Sequence, residues 1–216
     1  MHIESIHLSG MLPRVFLSES IPVSDVWRSE LTFRRGSFYR VEAASGAGKS
    51  SMCAFIYGAR TDYEGTLSFD GRDAATLGIG EWQKLRRLNL SYLPQELSLF
   101  PELTALQNIE LKNGLTGHVT RERIEDWLHE LGIDSRRDYP VGRMSIGQQQ
   151  RVGIILALCQ PFDFILLDEP VSHLDEENNR RAARMIAGEA LRQGAGIITT
   201  SVGNPLLLEG AATLKL

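Results

Sequence analysis

Two hydrophobic rhythms alternate along the chain and divide it into segments of different kind. The first forty residues hold short runs of β type, "IHL", "ELTF" and "FYRV", separated by the turn residues Gly10, Pro13, Pro22 and Gly36. That pattern predicts strands joined by turns. "GTLSFDGR", Gly65 to Arg72, predicts a further strand pair about an Asp70-Gly71 turn. From Gly80 to about Gln160 the period lengthens to that of helices. Ile124, Trp127, Leu128 and Leu131 fall at i, i+3, i+4 and i+7, and Gly132 stands where such a helix would end. One strand, "LSYLP" near Leu90, interrupts this region. Beyond Pro161, "FDFILLDEP" is apolar up to two acids, as expected of a parallel strand covered on both faces. A helix from about Asp175 to Gln193 and the strand "GIITTS" complete a β-α-β order.

Composition narrows the function classes. A chain of 216 residues can bury one sizeable core, and 43% hydrophobic with 23% charged residues is the balance of a globular protein that folds throughout. The formal net charge is -4 and the basic residues are interspersed with acids, so no nucleic-acid partner is expected. The local patch "KLRR", Lys84 to Arg87, reads as a solvated helix face. Cys53 and Cys159 stand far apart in apolar segments, which fits neither a disulfide framework nor zinc spacing; they read as buried thiols in a reducing compartment. The N-terminus lacks a cationic start followed by an apolar core, and no apolar run approaches the ~20 residues of a membrane span. A soluble, cytoplasmic protein is expected, with a membrane partner left open.

Chemistry concentrates in two places. "FYRVEA" leads into "ASGAGKSS" and then a helix, so Ala44 to Ser51 carry the Gly-Lys-Ser of a phosphate-binding loop, with Ala43 where the stricter pattern has Gly. Backbone amides would converge on phosphate oxygens, Gly46 and Gly48 would allow close approach, and the positive end of the following helix would face the anion. Ser45, Gly46, Ala47, Gly48, Lys49, Ser50 and Ser51 are therefore candidate nucleotide-binding residues, with Lys49 on the β- and γ-phosphates and Ser50 on Mg²⁺. In "FILLDEP", Asp168 at the strand end can bind Mg²⁺ through water and Glu169 can polarise an attacking water. The plainer alternatives are a Gly-rich turn and a pair of helix-capping acids.

"MSIGQQQR", Met144 to Arg151, taken alone is the polar start of a helix. It stands about twenty residues before the acidic strand end, and there it is similar to the signature, usually L-S-G-G-Q-Q-Q-R, of the ATP-binding cassette (ABC) ATPases. "YLPQELSLFPELTALQNIEL" resembles that family's Q-loop, with Gln95 as its glutamine, and "SHLD", Ser172 to Asp175, resembles its D-loop. The resemblance covers nearly the whole chain, and "LTALQNIEL" further resembles the branch of lipoprotein-releasing and macrolide-export ATPases. It implies an α/β fold: a P-loop NTPase (RecA-like) core with an N-terminal antiparallel β lobe and a helical insertion subdomain. Residues 1–216 would form a single ABC ATPase domain, with the core and β lobe at about 1–79 and 161–216 and the Q-loop and helical subdomain at 80–160. ATP and Mg²⁺ are the implied cofactors. Two cassettes, a homo- or heterodimer, would pair head to tail, so that Ser145, Gly147 and Gln148 serve the ATP bound to a partner. Ser50, Gln95 and Asp168 would surround the metal, Glu169 would orient or deprotonate water, and Gln95 would sense the γ-phosphate. A transmembrane transporter subunit would dock in the groove between core and helical lobe, holding the chain on the inner face of a membrane. Phe16 is at about the right separation to stack on adenine, although it can equally be a core or strand residue.

Three positions depart from the pattern. "GIITTSVGN" puts Ser201, or alternatively Thr200, where the family has a histidine on the γ-phosphate, and a hydroxyl supplies neither the charge nor the ring of imidazole. Ile146 stands where the signature has Gly, and a β-branched residue is stiff and bulky there. His173 replaces a small D-loop residue and reads as solvated. The chain ends soon after "AATLKL", with no room expected for a C-terminal regulatory domain. Two readings follow: a transport ATPase, or a nucleotide-gated module that dimerises on ATP and hydrolyses it slowly. A cassette of DNA repair or translation is disfavoured by the acidic charge and the lack of long coiled-coil heptads.

Overall fold

The computed structural model describes residues 2–18 and 22–216. The β-type runs of the N-terminal part form an antiparallel sheet. In it β1 (Ser5–Pro13) lies between β2 (Glu30–Arg34) and β4 (Tyr63–Phe69), and β4 turns back into the short β5 (Arg72–Asp73). Registers of Ile6 with Phe33 and Phe69, and of Leu8 with Leu31 and Leu67, gather the apolar side chains on one face. At the expected turn Asp70 and Gly71 both have positive φ, 49° and 80°, as a two-residue hairpin turn requires. The register of β1 shifts between Ser9 and Leu12, where Gly65 (φ 86°) passes so near Gly10 that a Cβ would stand 2.6 Å from the Gly10 carbonyl. Only glycine fits that crossing.

The second sheet is wholly parallel, in the order β6 (Leu90–Leu93), β7 (Phe164–Asp168), β8 (Gly196–Ser201), β3 (Phe38–Glu42) and β9 (Ala212–Lys215). Every residue of β7 is buried. Phe164 and Leu166 join the core shared with α1 (Lys49–Ile56) and the antiparallel sheet, while Ile165 and Leu167 join the core on the other face. Burial on both sides is why "FILL" reads as a continuous apolar run.

The second core is closed by α3 (Ala105–Asn113), α4 (Arg121–Glu130), α5 (Ile146–Leu158) and α6 (Glu176–Gln193). The stripe Ile124, Trp127, Leu128 and Leu131 is buried, and Gly132 (φ 64°) ends its helix as expected. The basic patch of α2 (Ile79–Leu88) differs from the expected solvated face. Lys84 and Arg87 are exposed, but Arg86 folds back, donating from Nε and a terminal nitrogen to the Tyr57 and Gly58 carbonyls at 3.0 and 2.6 Å. Its guanidinium lies 5.5 Å from the centres of both the Tyr57 and Trp82 rings. The carbonyls at the C-terminal end of α1 attract a cation, and the rings shelter it. Both cysteines are buried. Among the described residues no helix is long and apolar enough to cross a membrane.

In a parallel sheet all strands end at one edge. Because β8 lies between β3 and β7, the loops leaving β3, β7 and β8 surround one crevice, the place where open α/β sheets bind ligands.

Candidate functional site

The phosphate loop leaves β3 at Glu42 and enters α1 through Gly48. Gly46 and Gly48 have φ of 82° and 97°, a conformation that glycine adopts without a steric penalty. A Cβ on Gly48 would also stand 3.0 Å from Phe16 Cε2 and 3.1 Å from Trp27 Cζ2. Phe16 thus flanks the loop where the sequence places a candidate base platform. Trp27, which the sequence reading missed, supports the loop from beneath: its indole N–H donates to the Ala47 carbonyl at 3.0 Å. Ala43 has no positive φ, so the methyl group in place of the usual hydrogen imposes no backbone strain. Thr104, Thr120, Ser145 and Asp175 cap α3 to α6 with side-chain oxygens, whereas α1 has no side-chain cap. Its first-turn amides remain available to an anion. Ser51 Oγ accepts a hydrogen bond from Arg60 at 2.9 Å.

Lys49 is buried to 4% exposure. Its ammonium donates to the Ala43 and Ala44 carbonyls at 3.2 and 2.8 Å and lies 3.8 Å from Glu169 Oε1. The loop's own carbonyls therefore hold the cation at the crevice, opposite the carboxylate that follows the apolar strand. Glu169 reaches that position by a backbone turn with φ 50°, a left-handed conformation costing about 1–3 kcal/mol in a residue other than glycine. Three hydrogen bonds secure the turn. The Glu169 amide donates to Thr200 Oγ1 at 3.2 Å, and its carbonyl accepts from Gln150 Nε2 at 3.1 Å and from the Ser172 amide at 3.3 Å.

Thr200 follows from strand register. It pairs with Val41 on one side and with Asp168 on the other, which sets its hydroxyl between the two halves of the site. That hydroxyl donates to Asp168 Oδ1 at 2.6 Å while accepting from Glu169. Ser201, the sequence's first choice for the histidine position, pairs with Glu42 at the end of β8 and is 3% exposed. Its side chain makes no hydrogen bond among the described residues, although its carbonyl accepts from the Ala43 amide at 3.5 Å.

The residues resembling the signature lie apart from this cluster: no hydrogen bond or ion pair among the described residues joins 145–148 to 43–51. Ser145 caps α5, accepting from the Gln148 amide at 3.3 Å, and the Ser145 amide donates in return to Gln148 Oε1 at 3.0 Å. Ile146, 58% exposed, projects from the helix start. Gly147 is needed within the chain itself, since a Cβ would stand 2.9 Å from the His173 carbonyl. Gln150, missed from the sequence, ties this helix to both acid and D-loop by bonding the Glu169 carbonyl, Ser172 Oγ and the His173 amide. The His173 ring is exposed and meets Ser172 Oγ at 3.0 Å. Gln95, two residues beyond β6 at the same sheet edge, is exposed with its side chain free of hydrogen bonds among the described residues.

A divalent cation fits the residues at the sheet edge. Asp168 is 1% exposed, and its Oδ2 is buried without a hydrogen-bond partner among the described residues, an arrangement that favours a cation as the missing partner. Ser50 at the start of α1 and Gln95 are further oxygen donors of the kind a hard cation prefers. No cluster of three or more His, Cys, Asp or Glu able to hold a metal exists among the described residues. One carboxylate with few other side-chain donors suits an ion whose remaining ligands are phosphate oxygens and water.

A family model described as ABC transporter matches residues 27–172. The macrolide export ATP-binding/permease protein MacB 1/2 of Paracoccus denitrificans is 38% identical over 152 residues, 69% of this chain but only 23% of the relative. The ABC transporter ATP-binding protein YclH of Bacillus subtilis is 30% identical over 172 residues, covering 78% of this chain and 75% of that protein. The chain spans about a quarter of the MacB relatives it matches. Among solved structures, the dimeric ABC transporter cassette MJ0796 superposes with a TM-score of 0.75 at 26% identity, covering 91% of this chain and 87% of that one. Its post-hydrolysis state bound to ADP and Pi gives 0.73 at 25% identity, covering 92% and 88%.

Proposed function

The chain belongs to the ABC transporter family of ATP-binding cassettes, and from that premise we propose that it binds and hydrolyses ATP between two cassettes to drive a separate transmembrane subunit. The observation that carries this reading is the separation of the two half-sites. Lys49, Asp168 and Glu169 converge at the sheet edge, while Ser145 and Gln148 present a capped helix start elsewhere on the same chain. A second cassette brings the missing half.

In this reading Ser45 to Ser51 hold the phosphates, with Lys49 on the β- and γ-groups, and Phe16 stacks on the base. Ser50, Asp168 and Gln95 hold Mg²⁺, which screens phosphate charge when bound. Thr200 fixes the Asp168 carboxylate and the Glu169 turn together. Glu169 orients water and accepts its proton as the γ-phosphate departs, with the Lys49 ammonium 3.8 Å from its Oε1. Ser145, Gly147 and Gln148 act on the partner's nucleotide. The helical segment, about 80–160, moves as the lobe that carries them against the core, 1–79 with 161–216.

The membrane partner docks over two adjoining cavities of about 510 and 440 Å³ that share Tyr57 and Lys112. Arg86, Arg87 and Lys112 line them, and among the described residues no carboxylate does, in a chain whose net charge is -4. Charge complementarity calls for an acidic, partly apolar segment on the partner. Such docking holds the chain at the cytoplasmic face of a membrane.

Two observations favour a slow enzyme as a second reading. Ser201 brings no imidazole, and Ile146 places a branched side chain at the helix start that must approach the partner's phosphates. The test is Mg²⁺-dependent ATP turnover across protein concentrations. Turnover rising faster than linearly and lost in Glu169→Gln supports the working ATPase; a large gain in Ser201→His supports the slow one. Linear turnover indifferent to Glu169→Gln refutes both.

A further inference from the structure

Arg60 is exposed, follows α1, and belongs to none of the motifs considered above. Its guanidinium is nevertheless fixed on three sides. Nε donates to Asp62 Oδ1 at 2.9 Å and one terminal nitrogen donates to Asp62 Oδ2, closing a two-pronged fork. The plane lies 5.3 Å from the centre of the Phe55 ring. The other terminal nitrogen donates to Ser51 Oγ at 2.9 Å. A guanidinium already satisfied by one carboxylate has thus been turned so that its spare donors meet the first turn of the phosphate-loop helix.

The consequence for Ser51 is a matter of hydroxyl valence. A serine oxygen accepts through its lone pairs and donates through one proton. With Arg60 engaging a lone pair, the Ser51 proton is directed away from the guanidinium.

The position along the nucleotide follows from what surrounds the pair. The Asp62 carbonyl accepts from the Arg14 amide at 2.9 Å, and Arg14 opens the short helical turn ending at Phe16, the ring that flanks the loop at Gly48. Lys49 instead points to Glu169 and the loop carbonyls. Arg60 and Ser51 therefore belong to the base side of the site and Lys49 to the terminal-phosphate side. The phosphate nearest the base is the α-phosphate.

We propose that Arg60, anchored by Asp62, is a positioning residue of the nucleotide site: it orients the Ser51 hydroxyl toward the α-phosphate. This rests on the nucleotide-binding reading given above. It assigns the fork to ligand recognition rather than to surface ion pairing, which by itself contributes little.

The test is calorimetric titration of ATP and of ADP, each with Mg²⁺, into the wild type, Arg60→Met, Arg60→Lys, Ser51→Ala and the Arg60→Met/Ser51→Ala double variant. ATP and ADP share the α-phosphate, so Arg60→Met should weaken both by the same factor, about five- to tenfold for a charge-assisted contact acting through one hydroxyl. Arg60→Lys, which keeps a donor but loses the fork, should weaken both less. The double variant should bind no more weakly than the weaker single variant. Melting without nucleotide should be nearly unchanged in Arg60→Lys. Affinities equal to wild type in Arg60→Met, a changed ATP-to-ADP ratio, or additive effects with Ser51→Ala would each overturn the assignment. Failure of the wild type itself to bind ATP would refute the underlying nucleotide reading instead.

Discussion

At the residue scale the crevice depends on side chains whose partners lie far away in sequence. Thr200 is the clearest case, since one hydroxyl joins Asp168 to Glu169 across adjacent strands. Thr200→Val keeps the shape and deletes both bonds, leaving a buried carboxylate oxygen unpartnered. The Mg²⁺ concentration giving half-maximal turnover should rise about tenfold, the usual scale for losing a group that orients a metal ligand. A Mg²⁺ titration matching wild type would show that β-strand packing alone places Asp168. The cysteines allow an independent check. Burial pushes the Cys159 thiol up to about 12 and raises that of Cys53 well above its usual value, with Asp168 adding to the rise. Both stay protonated at pH 8, so iodoacetamide should leave the folded chain unmodified and add two labels after denaturation, read by intact mass.

At the scale of elements, what the sequence disclosed and what it hid have a common explanation. "FILLDEP", the α4 stripe and the Asp70-Gly71 turn were legible because each is dictated by neighbours in the chain: continuous burial, helical period, two positive φ angles. Trp27 beneath the loop, Gln150 behind Glu169 and Arg86 over the end of α1 were not, because each acts on a backbone carbonyl that only tertiary contact supplies. The phosphate loop and Ser145 cap were legible as motifs, but Gly147 gained a second meaning. Besides any partner contact, it lets α5 approach the D-loop within the chain. Gly147→Ala should therefore destabilise the isolated chain by about 1–3 kcal/mol, as overpacking against backbone does, measured as a lower denaturant midpoint with an unchanged slope. A midpoint equal to wild type would confine the glycine to contact with a partner. The α6 cap carries a pH dependence of known sign. The Asn178 amide holds the Asp175 carboxyl below its usual value, so its contribution is present above the unfolded carboxyl's pKa and fades as pH falls through the folded one. Asp175→Asn should flatten the acid side of the stability profile; an unchanged profile would exclude the cap.

At the scale of the whole molecule, one sheet edge collects Lys49, Asp168 and Glu169, and the helical layer carries Ser145 and Gln148 to another surface. Neither half accounts for the other within one chain. Fold and motif order were legible in the sequence because strands, loop and acids follow one another as the parallel sheet requires. The charge of the cavity beside α2 was not, since Arg86, Arg87 and Lys112 come together only when α2 and α3 flank it. In the proposed mechanism ATP joins two cassettes through these half-sites. The most direct measurement is the solution mass of Glu169→Gln by sedimentation, with Mg²⁺ and either ATP or ADP. A doubled mass is expected with ATP alone, lost when Ser145→Arg is added. A monomeric mass with ATP demonstrably bound would contradict it.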